Sequence, residues 1–220
     1  MSVMIQVSEL HFTTEDGIKV LEDVHLHVER GELVYLIGDA AVGKTLLLGL
    51  LAAQTLPQEG QILVHGRNVA RLSRDKALQL RRQIGLLPQG FVPLPRTSID
   101  NLVFKLRALG DFREQAEEKA LLALELVGLL RQQTAEATEL SSVERLRLGI
   151  ALSICNDPLL LLIDDLFDGV GPEDQEQICA LLERICRRGV TVLATARGPL
   201  PPQTRKHRVL ELVDGRVAER

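Results

Sequence analysis

Two β-like runs open the chain. Val3–Phe12 and Val20–Val28 are rich in apolar residues and flank Glu15-Asp16-Gly17, a turn signal. In the second run His25 and His27 alternate with Leu26 and Val28, which puts both histidines on the wet face of a strand. Leu33–Ile37, after Arg30-Gly31-Glu32, is apolar throughout and reads as a short buried strand. A Gly-bounded loop follows, then an apolar helix from near Lys44 to about Gln54, then a small strand, Gln61–Val64. The middle is helical. Asp75–Arg82 leads into a strand, Ile84–Leu87; Gly90–Arg96 is a Pro-containing loop; Ser98–Leu109 and Phe112–Leu130 carry apolar residues at helical spacing. The last third alternates again: a helix near Val143–Asn156, a strand Leu159–Ile163, a helix Glu173–Arg188, a strand Val190–Ala194, and a closing hairpin of His207–Val213 with Asp214-Gly215-Arg216.

Strands that alternate with helices predict an α/β fold with a mostly parallel core sheet, here with an antiparallel β part at the front. The helical stretch, roughly 90–157, is an insertion, and residues 1–220 read as one domain without repeat or low-complexity segment.

Composition narrows the function. With 45% hydrophobic and 25% charged residues the chain is that of an ordinary globular protein, and 220 residues suffice for an ample core. A net charge of −4 offers no broad positive field, so nucleic acid is not the expected partner. The longest apolar runs, such as Leu46–Ala53, fall well short of the roughly 18 residues that span a bilayer, so a membrane role would be peripheral. Met1-Ser-Val-Met-Ile-Gln lacks the basic start of a secretory signal, which points to the cytoplasm. Cys155, Cys179 and Cys186 form no CxxC and read as buried thiols.

One segment carries specific chemistry. Gly38-Asp39-Ala40-Ala41-Val42-Gly43-Lys44-Thr45 matches GxxxxGK[ST] completely, after a buried strand and at the start of a helix. In that context loop amides and the helix N-terminus point at phosphate oxygens, Lys44 reaches the β/γ-phosphates and Thr45 offers its hydroxyl to Mg2+. Leu159–Ile163 then runs into Asp164 and Asp165, the pattern of an apolar strand whose first terminal acid supports a Mg2+ shell. Either motif alone has a plainer explanation, a strand–turn–helix or a strand ending in solvated acids. Together and in this order they leave little room for one.

On these residues the chain resembles the ABC ATPases over nearly its whole length. Ile84-Gly-Leu-Leu-Pro-Gln89 looks like the Q-loop, whose glutamine in that family senses Mg2+ and touches a membrane partner. Leu140-Ser141-Ser142-Val143-Glu144 stands in the place of the LSGGQ signature. Leu80–Gly85, Asp100-Asn-Leu, Gly189–Thr195 and Val213–Arg216 look most like the cell-division ATP-binding proteins of the FtsE type; ATPases for lipoprotein release and macrolide export are close alternatives. The resemblance implies a P-loop fold with an N-terminal antiparallel β-subdomain, Mg-ATP as ligand, an ATP-dependent dimer, and an integral membrane partner of the FtsX type docking near Gln89 and Phe91.

Six features, at seven positions, depart from the family pattern. Asp165 stands for the catalytic glutamate, a weak general base one methylene short. Ala196 replaces the switch histidine, Ser142 and Val143 the signature glycines, Gly171 the D-loop aspartate, and Ala41 a P-loop glycine. The adenine-stacking aromatic aligns with Thr14, with Phe12 as a substitute after a register shift. A misplaced base forfeits much of the roughly 10²–10⁴-fold that acid–base catalysis supplies. A left-handed backbone at Val143 would strain a β-branched residue, whereas Ala41 would cost only about 1 kcal/mol. The expectation is binding that outlasts hydrolysis. It leaves two functions open, a turnover-driven motor and a nucleotide-gated scaffold.

Overall fold

The computed structural model describes residues 2–219. In chain order the strands are β1 (Val3–Thr13), β2 (Lys19–Glu29), β3 (Leu33–Ile37), β4 (Glu59–Val64), β5 (Arg67–Asn68), β6 (Ile84–Leu87), β7 (Leu160–Ile163), β8 (Thr191–Ala196), β9 (Arg208–Val213) and β10 (Arg216–Glu219). The α-helices are α1 (Lys44–Leu51), α2 (Arg74–Arg82), α3 (Ser98–Leu109), α4 (Arg113–Val127), α5 (Ser142–Ile154) and α6 (Pro172–Arg187).

Two sheets form. An antiparallel one has the order β2-β1-β4-β5, and a six-stranded one the order β10-β9-β3-β8-β7-β6. From β9 to β6 every pairing of the larger sheet is parallel, and β10 adds an antiparallel edge. The antiparallel part is therefore not confined to the front: β4 and β5 join it after α1. The closing hairpin, for its part, extends the parallel sheet by laying β9 against β3.

β3 is buried at all of its positions because it lies between two cores. Its alternate side chains divide between them, as the period of a strand requires. Val34 and Leu36 pack with α1 and the antiparallel sheet, while Leu33 and Tyr35 pack toward α5 and α6. α1 buries Leu47, Leu48, Leu50 and Leu51, and full burial of each contributes about 1.5–3 kcal/mol. That packing anchors the helix whose first turn carries Lys44 and Thr45.

Helix ends differ from the sequence expectation for local reasons. α1 stops at Leu51 rather than near Gln54, because Ala53 turns left-handed (φ 54). The amide of Ala53 then donates to Leu50 O and that of Gln54 to Gly49 O. This is the paired closure that glycine usually makes after a helix, here made with alanine. α4 ends at Val127, short of Leu130, where Gly128 takes φ 78. His25 and His27 are exposed on β2 as expected. Cys155 and Cys179 are buried free thiols and Cys186 is half-buried.

Candidate functional site

The candidate site lies at the C-terminal ends of the parallel strands, where β3, β7 and β8 stop side by side. β3 runs into the 38–45 loop, β7 into Asp164 and Asp165, and β8 into Arg197. Ligands of open parallel sheets collect at this edge.

The loop is held by its own geometry. Gly43 caps α1 at φ 106, a backbone that other residues rarely adopt, and a Cβ there would meet Val20 Cγ1 at 2.8 Å. Ala41 sits at φ 63, so the left-handed position is real and alanine bears its cost of about 1 kcal/mol. Lys44 is only 6% exposed, yet its Nζ donates to two neutral carbonyls, Gly38 O and Asp39 O, at 2.6 Å each. Burial holds its pKa below the usual lysine value, while the nearby carboxylates of Asp165, Asp164 and Asp39 pull the other way.

Beside it, Thr45 Oγ1 donates to Asp164 Oδ2 at 2.6 Å, and Thr195 Oγ1 donates to Asp164 Oδ1 at 2.8 Å. Thr195 also accepts the backbone N–H of Asp165 at 2.8 Å, which ties β8 to the end of β7. Asp165 takes φ 53, and its Oδ2 accepts from Gln89 Nε2 at 2.9 Å. The same oxygen pairs with Arg197 Nη2 at 2.5 Å. Desolvation raises the Asp165 pKa above the ordinary carboxylate value, and the Arg197 guanidinium opposes that rise.

A hollow of about 360 Å³ is lined by Ala40, Ala41, Gly43, Lys44, Thr45, Gln89, Asp164 and Asp165 among the residues expected from the sequence. Gly38 and Asp39 act on it through the carbonyls that hold Lys44. Phe12, Thr14, Val20, Leu46 and Arg197 complete the wall. Both candidates for the aromatic position thus reach the hollow. β1 has register shifts against β2 between Leu10 and Phe12 and again between Phe12 and Thr13, irregularities that alter which side chains face a given side. Arg197 was missed in the sequence. It belongs to no motif there, and its partner is remote along the chain.

The signature-like segment lies elsewhere. Ser141 caps α5, its Oγ accepting from the Glu144 amide while the Glu144 carboxylate accepts from the Ser141 amide, a reciprocal capping box. Val143 lies inside that helix, so the strain feared for a left-handed valine does not arise. Ser142 and Arg145 line a smaller, adjoining cleft with Gln89, Asp165 and Asp168. Ala196 is fully buried at the end of β8 and offers the site only a methyl group. Gly171 caps α6 at φ −68, a conformation open to any residue.

The comparisons agree with this geometry. The model of the ABC transporter family matches residues 21–168. The cell division ATP-binding protein FtsE of Bacillus subtilis (strain 168) is 29% identical over 213 residues, spanning 96% of this chain and 93% of that protein. The methionine import ATP-binding protein MetN of Carboxydothermus hydrogenoformans is 32% identical over 99% of this chain, which covers 65% of that longer protein. A bacterial ABC transporter cassette solved as a dimer superposes with a TM-score of 0.86 at 25% identity, over 99% of this chain and 98% of that one. With its phosphate-type loop, its paired acids at the end of β7 and a family match across most of its length, this chain belongs to the ABC transporter family as an ATP-binding cassette.

Proposed function

We propose that the chain binds Mg-ATP in the hollow around Lys44, as the nucleotide-binding subunit of a membrane complex of the cell-division FtsE–FtsX type, and turns it over only slowly. The observation that carries this reading is the Lys44 ammonium, buried at the mouth of a helix and hydrogen-bonded to the carbonyls of Gly38 and Asp39. A desolvated cation in such a place gains most from a polyanion, and the adjoining α1 amides add donors for it.

The donor set also fits Mg2+. The Thr45 hydroxyl and the Asp164 carboxylate are hard oxygens already in contact, with the rest of a Mg2+ shell left to water and phosphate, and Gln89 stands beside them. Bound there, the ion neutralises phosphate charge. The chain's own residues then orient the nucleotide: Lys44 and the loop at the phosphates, Phe12 or Thr14 at the adenine. Phe12→Ala is expected to weaken Mg-ATP binding about 10-fold, the scale of one base–aromatic stack, in a calorimetric titration. Unchanged affinity would hand the adenine to Thr14 or to no side chain.

Slow turnover follows from the state of Asp165. Its side chain is one methylene shorter than a glutamate and is engaged by Gln89, so it reaches an attacking water poorly, and Ala196 adds no polar group beyond it. The motor reading keeps one supporting observation, the retained carboxylate with Gln89 upon it. Steady-state phosphate release decides between them. We expect turnover below about 0.1 s⁻¹, against the 1–10³ s⁻¹ usual for enzymes. Faster turnover that vanishes in Lys44→Ala would establish a motor.

In this reading the membrane partner docks on the loop after Gln89. Phe91 packs on the core, but Val92, Leu94 and Phe104 are exposed apolar residues. Arg96 stacks on Phe104 at 4.4 Å. The buried Asn101 pins the loop through Leu94 N, Leu94 O, Arg96 O and Thr97 O. A rigid apolar ledge of this kind suits a docking helix, and the FtsE relatives favour an FtsX-like owner of it. The dimeric cassette supports an ATP-dependent dimer. No helix among the described residues is long and apolar enough to cross a membrane; in the proposed complex this chain is attached peripherally, at the cytoplasmic face.

A further inference from the structure

We infer that Arg197 is the residue that distinguishes ATP from ADP in this chain, its guanidinium exchanging the Asp165 carboxylate for the terminal phosphate. The inference rests on the nucleotide-binding reading and adds a recognition residue to it.

Three observations support it. Arg197 lines the same hollow as Lys44, Thr45 and Gln89, so an anion held there lies within the hollow that its side chain borders. Its side chain is 48% exposed whereas Asp165 is 6% exposed, so the arginine is the partner free to swing. And the strand residue just before it, Ala196, has no polar group, which leaves Arg197 as the first side chain past β8 able to address a phosphate.

The contact also has the character of a placeholder. A single Nη2–Oδ2 contact uses one of the five guanidinium donors. A phosphate presents more oxygens and more charge than a carboxylate and accepts the guanidinium fork in a bidentate way. Asp165 can release it without being stranded, because Gln89 Nε2 still donates to Oδ2. ADP, lacking the third phosphate, leaves Arg197 where it is. The exchange breaks no covalent bond and moves no proton.

Equilibrium titration of the full chain with Mg2+ and either a non-hydrolysable ATP analogue or ADP tests this. In Arg197→Ala the analogue affinity is expected to fall about 10–100-fold, the scale of lost charge-assisted hydrogen bonds, with ADP affinity little altered. Arg197→Lys should recover part of the loss. Asp165→Asn, which removes the competing carboxylate, should strengthen the analogue selectively, and that gain should disappear in the double variant with Arg197→Ala. Equal losses for both nucleotides, no loss for either, or a gain in Asp165→Asn that persists without Arg197 would each overturn the inference while leaving nucleotide binding intact. A parent protein that binds neither nucleotide would sink the binding reading itself, and this inference with it. Thermal melts of Arg197→Ala confirm folding, and Arg197→Lys carries the test should that variant melt early.

Discussion

Lys44→Ala is expected to weaken Mg-ATP binding by about 100-fold or more, since two or three charge-assisted hydrogen bonds at about 1.5–3 kcal/mol each are lost together. In the structure the ammonium is wedged between the carbonyls of Gly38 and Asp39. It is therefore already aimed, and little conformational entropy remains to be lost when an anion arrives. Burial and, less strongly, the Arg197 guanidinium lower the pKa of this ammonium, and the aspartates around it oppose the shift. Removing it should not unfold the protein, because the group it leaves behind is a pair of loop carbonyls that water can reach through the hollow. The check is a melting curve with and without Mg-ATP. The parent should gain stability as nucleotide is added, by mass action, and Lys44→Ala should gain none. Affinity within about threefold of the parent, a difference of well under 1 kcal/mol, would mean that the loop does not hold the phosphates.

A large effect on stability is expected at Gly85, outside the site. A Cβ built on this residue of β6 would stand 2.1 Å from Ser153 O and 2.9 Å from Ser153 C. These are backbone atoms of α5, which cannot turn aside as a side chain can. Gly149, one turn earlier on α5, adds to this closeness, since a Cβ there would meet the side chains of Leu87 at 2.6 Å and Phe91 at 3.0 Å. Gly85→Ala must push α5 off the sheet, and overpacking of this kind costs about 3 kcal/mol. For a chain of this size that corresponds to a melting point lower by about 6–12 °C. Gly171→Ala is the control. Its Cβ would meet nothing within 4 Å and its φ is −68, so its melting point should fall by no more than a few degrees, the scale of a weaker helix cap. If both variants melt with the parent, the close packing of β6 on α5 is wrong. The contact bears on function as well. β6 leads to Gln89 and α5 begins at the signature-like Ser142, so this packing sets the spacing between those two segments.

Much of the candidate site was legible in the sequence because its chemistry is local. The phosphate loop consists of consecutive residues whose hydrogen bonds run a few positions along the chain, as in Lys44 to Gly38 and Asp39. Its spacing therefore carries its shape. The apolar run before Asp164 and Asp165 was legible for a similar reason: a strand buried on both faces has few compositions open to it. Helix ends were less so. Nothing in Ala52-Ala53-Gln54 marks a stop, and only the backbone shows Ala53 closing α1. At Val143 a glycine position of the family pattern suggested a left-handed residue, but the capping box of Ser141 and Glu144 draws the segment into helix instead.

Sequence alone determined the strand–loop–helix that cradles an anion, the paired acids and the α/β alternation, since each depends on neighbours within about one turn or one strand. Tertiary structure decided the rest. β8 inserts between β3 and β7 in parallel register, Ile163 opposite Ala194, so the residues just beyond each strand meet. That is why Arg197 stands against Asp165, while Phe12 reaches the same hollow from β1 of the other sheet. Contacts of this kind are made through space by charge and packing, and no spacing along the chain encodes them.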